Sequence, residues 1–156
     1  MTASSFADLH NDLIDHITGL PRYAAALVEI PHLARQFGGD RTLGVMVIAA
    51  AADPGLYRLT PEAGHRLRAD LTGQLKGLLR PADRLYSVSH WEWLAVLPDL
   101  PSSAPLQLAM LKVDGHFIDP LPTIQGRLAV RIVCGGAVWP DDGEDASVLA
   151  QGCGVS

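Results

Sequence analysis

Leu43 to Ala50 is a continuous apolar run, rich in Val and Ile and stopped by Asp53-Pro54-Gly55. A run of that length with turn chemistry at its end predicts a strand buried on both faces. Upstream, apolar residues recur at helical intervals from Tyr23 to Phe37 despite Pro31, and Gly38-Gly39 supplies the stop. Downstream, Leu67, Leu71, Leu75, Leu78 and Leu79 fall on one face of a helix over Glu62 to Leu79, with Arg66, Arg68, Asp70 and Lys76 mostly elsewhere. At the start of the chain, Ser5 and Asp8 have capping-box spacing, and Phe6, Leu9, Leu13 and Ile17 form one stripe. That stripe predicts a lead helix within residues 1–17.

The second half alternates more quickly. Asp83 to Val88 and Trp93 to Leu97 read as two strands around a short tip, followed by a Pro- and Ser-rich loop from Pro98 to Pro105. Leu106 to Val113 is a short helix, Asp114 to Gly126 is turn-rich, and Leu128 to Val138 is a further strand. Pro140 to Gly143 is a turn before a weak last helix. Helices interleaved with strands in this order predict an α/β sandwich, a central mostly antiparallel sheet flanked by helices. The expected organisation is a lead helix over 1–17, one domain over 18–150 and a flexible tail over 151–156.

Composition narrows the function classes. The chain has 156 residues, 48% of them apolar, enough for one sizeable core. A net charge of -5 without a Lys/Arg cluster argues against nucleic acid or an anionic membrane as partner. There is no secretory leader pattern and no apolar run of the ~20 residues needed to cross a bilayer, so the chain reads as cytoplasmic. Of the two cysteines, Cys134 falls in a strand and Cys153 in a Gly-rich tail. The histidines at 10, 16, 32, 65, 90 and 116 have no metal-ligand spacing, and no metal site is expected.

Several short motifs in fixed order resemble one family. Asp15-His16-Ile17-Thr18-Gly19-Leu20-Pro21 is similar to the D-x-L-T-G-L-P segment of GGDEF domains, the diguanylate cyclase family. It is followed at family spacing by a strand, then by Gly64-His65, Arg80-Pro81-Ala82-Asp83 and Ala95-Val96-Leu97-Pro98. Near the end, Gly135, Trp139-Pro140, Asp142-Gly143 and Glu144-Asp145-Ala146 resemble the family's closing strand and turn. The resemblance spans Asp12 to Ala150 and rests on the order of the motifs.

The resemblance implies a GGDEF-like fold with an altered signature. The G-G-D/E-E-F positions fall on Ser89, His90, Trp91, Glu92 and Trp93, so only the glutamate is kept. Joining two GTP molecules needs divalent metal held by carboxylates. The family's ligand positions fall on Trp91 and Ala52, with Asp53 adjacent, and its guanine-reading asparagine falls on Thr60. The phosphate-binding lysine of its terminal helix has no counterpart after Ala150. The expectation is a degenerate, non-catalytic domain without a magnesium cofactor. Strand alternation puts Trp91 and Trp93 on one face of the hairpin and Glu92 on the other.

Arg80 and Asp83 stand at the place of the family's inhibitory R-x-x-D site for cyclic di-GMP. An arginine fork can grip phosphate or a guanine edge while a carboxylate accepts guanine N–H groups. Where the family recruits a second arginine, the chain has Leu111 with Lys112 beside it. The same pair reads equally as a cation at a helix C-terminus and a carboxylate solvating the turn after Pro81. The leading expectation is a cyclic di-GMP receptor using Arg80, Asp83 and Lys112. The alternative is a protein-interaction or self-associating module using the hairpin tip or the lead helix.

Overall fold

The computed structural model describes residues 13–36, 41–51 and 54–139. Along them run α1 (Tyr23–Gln36), β1 (Thr42–Ala50), α2 (Pro54–Tyr57), α3 (Pro61–Leu78), β2 (Arg84–Ser89) and β3 (Glu92–Leu100). Then follow α4 (Ala104–His116), β4 (Leu121–Thr123), β5 (Gly126–Leu128) and β6 (Ile132–Trp139). The main sheet has four strands in the order β2-β3-β1-β6, every neighbouring pair antiparallel, and β4 and β5 form a separate hairpin.

The apolar run that predicts β1 alternates between two cores, as the period of two requires. Met46, Ile48 and Ala50 join Leu85, Trp93, Ala95 and Leu97 on one face, covered by Leu67, Leu71 and Leu75 of α3 and by Leu106 and Val113 of α4. Val45 and Val47 join Tyr86, Leu94 and Val96 on the other, covered by Ala26, Ile30 and Leu33 of α1. α4 lies close enough to the sheet that a Cβ on Gly136 would stand 2.9 Å from Met110 Sδ, and one on Gly44 3.5 Å from Leu106 Cβ. Glycine at both positions lets helix and sheet approach.

Three expectations change. Residues 13–17, the end of the predicted lead helix, form a turn: Ile14 bridges Pro21, Gly19 has φ +74°, and Asp15 N–H donates to Leu20 O at 2.7 Å. Residues 1–12, with the rest of that helix, lie outside the described residues. The strand expected to end at Leu97 continues to Leu100 through a bulge opposite Thr42 and Gly44. There Asp99 has φ 57°, and Arg41 holds its carboxylate at 2.6 Å and its carbonyl at 2.8 Å. The strand expected over Leu128 to Val138 divides into the end of β5 and β6, with Ala129 to Arg131 between them. The expected last helix, the closing motifs from Pro140 onward, Cys153 and the 151–156 tail lie outside the described residues, as do Gly38-Gly39-Asp40.

Candidate functional site

α3 positions both candidate regions, one at each end. Its N-cap is Thr60, whose hydroxyl accepts Ala63 N–H at 3.2 Å, with Pro61 at the first turn. Its last helical residue is Leu78, and the chain turns through Arg80 to Asp83 into β2.

In that turn the Asp83 carboxylate faces inward, its side chain 2% exposed. Its Oδ2 accepts Arg80 N–H at 2.8 Å, and its Oδ1 accepts Nε at 3.0 Å and Nη2 at 2.7 Å. Arg80 Nη2 also donates to Pro98 O at 3.0 Å, which ties the turn to β3. Arg80 thus stands just past the end of α3, and Asp83 satisfies its backbone amide within the turn. Arg80 reaches a strand carbonyl and Asp83 is shielded from water. Of the five guanidinium donors, the bonds to Asp83 and Pro98 use three, leaving the two on Nη1.

Arg80 borders a cavity of about 680 Å³ with Lys76, Arg84 and Glu29 on its walls and the turn Gly19 to Pro21 across from them. Arg84 stands 3.7 Å from Glu29. The Tyr86 hydroxyl also donates to Glu29, and burial together with that carboxylate pushes the phenol above its ordinary range. Lys112 is exposed on α4 and is not among the residues lining this cavity. Sequence reasoning missed Lys76 and Arg84, whose only signal is charge next to the R-x-x-D segment.

At the other end of α3, the altered signature lines a cleft of about 760 Å³. Ser89 closes β2, His90 and Trp91 make the hairpin turn, and Glu92 opens β3. Trp93 is buried and donates from Nε1 to Thr72 Oγ1 at 3.0 Å. Trp91 is half-buried against the same core, so the two indoles share a face as expected. Ala50 N–H donates to Trp91 O at 2.9 Å, fixing the tip to the end of β1. Glu92 accepts the Ser89 hydroxyl at 2.9 Å. Trp91 carries no metal-ligating atom, and Ala52 and Asp53, the other residues considered for a metal-ligand position, lie outside the described residues. Among the described residues no three His, Cys, Asp or Glu gather to hold a metal, and no helix is long and apolar enough to cross a membrane.

One buried network joins the two ends. Asp15, 3% exposed, accepts Arg68 Nη2 at 2.6 Å, Ser87 Oγ at 2.7 Å and Ile17 N–H at 2.9 Å. Burial alone would raise its pKa, but the Ser87 hydroxyl, the Ile17 and Thr18 amides and the Arg68 charge together hold it below the ordinary value. Arg68 in turn lines the cleft.

Comparison with known proteins bears on the architecture. No protein-family model matches the chain, and no curated protein matches it in sequence. Solved structures do. The GGDEF domain of TpbB (YfiN) from Pseudomonas aeruginosa superposes with a TM-score of 0.81 at 20% identity, over 88% of this chain and 82% of that one. A sensory box/GGDEF family protein from Caulobacter crescentus gives 0.77 at 17% identity, over 90% and 92%. The GGDEF domain of DgcB from Caulobacter crescentus, in complex with c-di-GMP, gives 0.71 at 16% identity, over 89% and 84%. The chain therefore has the α/β fold of a GGDEF domain, a mostly antiparallel sheet flanked by helices.

Proposed function

We propose that this domain is a non-catalytic member of cyclic di-GMP signalling that binds the dinucleotide at the basic cavity beside α3, with Arg80 as its anchor. The observation that carries the reading is the placement of Arg80 at the rim of that cavity, between Lys76 and Arg84, with two guanidinium donors outside its bonds to Asp83 and Pro98. Three cations around one concavity complement the two phosphates of the ligand. Asp83 acts here by orienting Arg80, since its own oxygens already accept three N–H groups. Lys112 belongs to the proposal only as an outer contact, because it does not line the cavity.

The absence of cyclase activity is inferred from the donor set. Trp91 and Ala52 hold the metal-ligand positions, and His90 puts a side chain where the signature has glycine. Turnover of GTP with magnesium would overturn this part of the proposal.

Calorimetric titration of cyclic di-GMP into the protein tests the site. Binding is expected, with a loss of about a hundredfold in Arg80→Ala, or roughly 2.7 kcal/mol. Arg84→Ala, which leaves the turn intact, is expected to lose about tenfold. No binding by the wild type, or full affinity in Arg80→Ala, would sink the reading. The rival reading is a protein-interaction module. Exposed His90 at the tip favours it, as do Leu108 and Leu111 of α4, which are 54% and 66% exposed one turn apart. A thermal midpoint unmoved by saturating cyclic di-GMP would support it.

A further inference from the structure

The two long helices that cover one face of the sheet meet solvent differently. α3 turns Glu62, Arg66, Asp70 and Lys76 outward, as a surface helix does. α4 buries Leu106 and Val113 against the sheet, with Ala109 and Met110 half-buried beside them. Its opposite side is apolar as well. Ala104, Leu108, Leu111 and Gly115 are all exposed there, Leu108 by 54% and Leu111 by 66%. Open space lies over Gly115, and Ile118, two residues past the helix, is 78% exposed. A helix that is apolar on both sides is built to be covered on both.

The outward residues Ala104, Leu108, Leu111 and Gly115 follow one another at spacings of four, three and four. That is the heptad pattern of a two-helix seam, with Leu108 and Leu111 at its two core positions. Residues of opposite charge flank the stripe, Lys112 on one side and Asp114 with Gln107 on the other, all three exposed. Lys112 makes no ion pair among the described residues, and Asp114 accepts only the Cys134 thiol, at 3.5 Å. These flanks point to the occupant. When two copies of α4 lie parallel about a two-fold axis, the Lys112 flank of each runs beside the Gln107 and Asp114 flank of the other. In an antiparallel pair each flank would instead meet its own like. The face is therefore complementary in charge to a second copy of itself, in one orientation.

We infer that α4 is the interface of a parallel homodimer, in which Leu108 and Leu111 pack on their counterparts and Lys112 lies beside the partner's Gln107. The dimer forms with or without dinucleotide in the basic cavity. One short helix pair sits at the low end of interface size, so association depends on concentration. Sedimentation equilibrium of the full chain, without nucleotide, tests it. The average mass is expected to rise from the 16.6 kDa of one chain toward twice that value as concentration goes from about 1 μM to 1 mM. Leu111→Asp changes an exposed position and leaves the fold alone. It is expected to keep the mass of one chain throughout, with an unchanged circular dichroism spectrum. Gln107→Glu sets a carboxylate beside the partner's Lys112 and is expected to tighten the dimer about threefold to tenfold, and Gln107→Lys to weaken it by as much. An antiparallel pair would bring the two introduced carboxylates together and reverse the first effect. The inference is overturned by the mass of one chain at every concentration, which would leave the face to a different protein. It is equally overturned by self-association that survives in Leu111→Asp, or by Gln107→Glu failing to tighten the dimer. No nucleotide enters any arm, so this test and that of the basic cavity fail separately.

Discussion

The two cavities that flank α3 are built from the same sheet and helix but by opposite chemistry. The one at the helix C-terminus is lined by Lys76, Arg80, Arg84 and Glu29, and most of its recognition capacity is charge. The one at the helix N-terminus is lined by Ala49, Leu56, Tyr57, Gly64 and Trp91, with the Glu92 carboxylate beside them. Charged contacts act at longer range and weaken with salt, whereas stacking and buried hydrogen bonds depend on close, fixed geometry. The difference teaches that one fold can place a charged concavity and a largely apolar one at the two ends of a single helix.

What they share is Asp15. Its carboxylate fixes the turn whose Gly19 to Pro21 wall the basic cavity, and it neutralises Arg68 in the cleft. Asp15→Ala leaves Arg68 as an uncompensated buried charge and is expected to cost about 3–5 kcal/mol, the largest effect of any change considered. Urea denaturation measures it, and a loss under ~1 kcal/mol would show the network to be dispensable. The same bond sets an acid limit. The folded pKa of Asp15 lies below its ordinary value of 3.8, so its stabilisation is complete above that value and is lost as pH falls through the folded one. Wild-type stability should therefore fall below about pH 4 more steeply than that of Asp15→Asn, in which the titrating group is gone.

Salt tests the charged concavity. Raising salt from about 50 to 500 mM shortens the screening length severalfold and should weaken cyclic di-GMP binding by about tenfold. Titrations at the two salt concentrations decide it; an affinity unmoved by salt would mean that the cations on the cavity walls do not carry the binding.

Much of this architecture was legible in the chain. The apolar run of β1, the leucine stripe of α3 and the paired strands before and after residue 90 are local patterns, and local patterns survive in sequence. That Trp91 and Trp93 share one core followed from strand alternation. What could not be read depends on distant partners. Asp15 meets Arg68 across 53 residues and Ser87 across 72, and nothing local marks either as buried. Leu13 and Ile17 fit a helical stripe, yet the turn that Asp15 organises prevails, because its carboxylate captures the Ile17 and Thr18 amides. The β3 extension through Asp99 was hidden because Pro98 and the following prolines signal a loop, while Arg41 supplies the tie that keeps the strand going. In the candidate site, the R-x-x-D spacing showed where Arg80 and Asp83 stand but not that Asp83 turns inward onto Arg80.

The smallest expected effect concerns Tyr86 and asks how finely the basic cavity is tuned. Its hydroxyl donates to Glu29, the carboxylate that also stands 3.7 Å from Arg84. While that hydrogen bond holds, Glu29 is shared, and Arg84 keeps part of its charge for an anion. Tyr86→Phe removes the donor without changing the ring that fills the core, so its stability cost should be near 1 kcal/mol. Glu29 is then left with Arg84 as its partner, the pair tightens, and cyclic di-GMP affinity falls by about two- to threefold. In a spectrophotometric titration the variant loses a tyrosine that ionises above the ordinary range, where burial and Glu29 hold Tyr86. A rise in dinucleotide affinity instead would mean that Glu29 repels the ligand directly and that the hydroxyl holds it in place to do so.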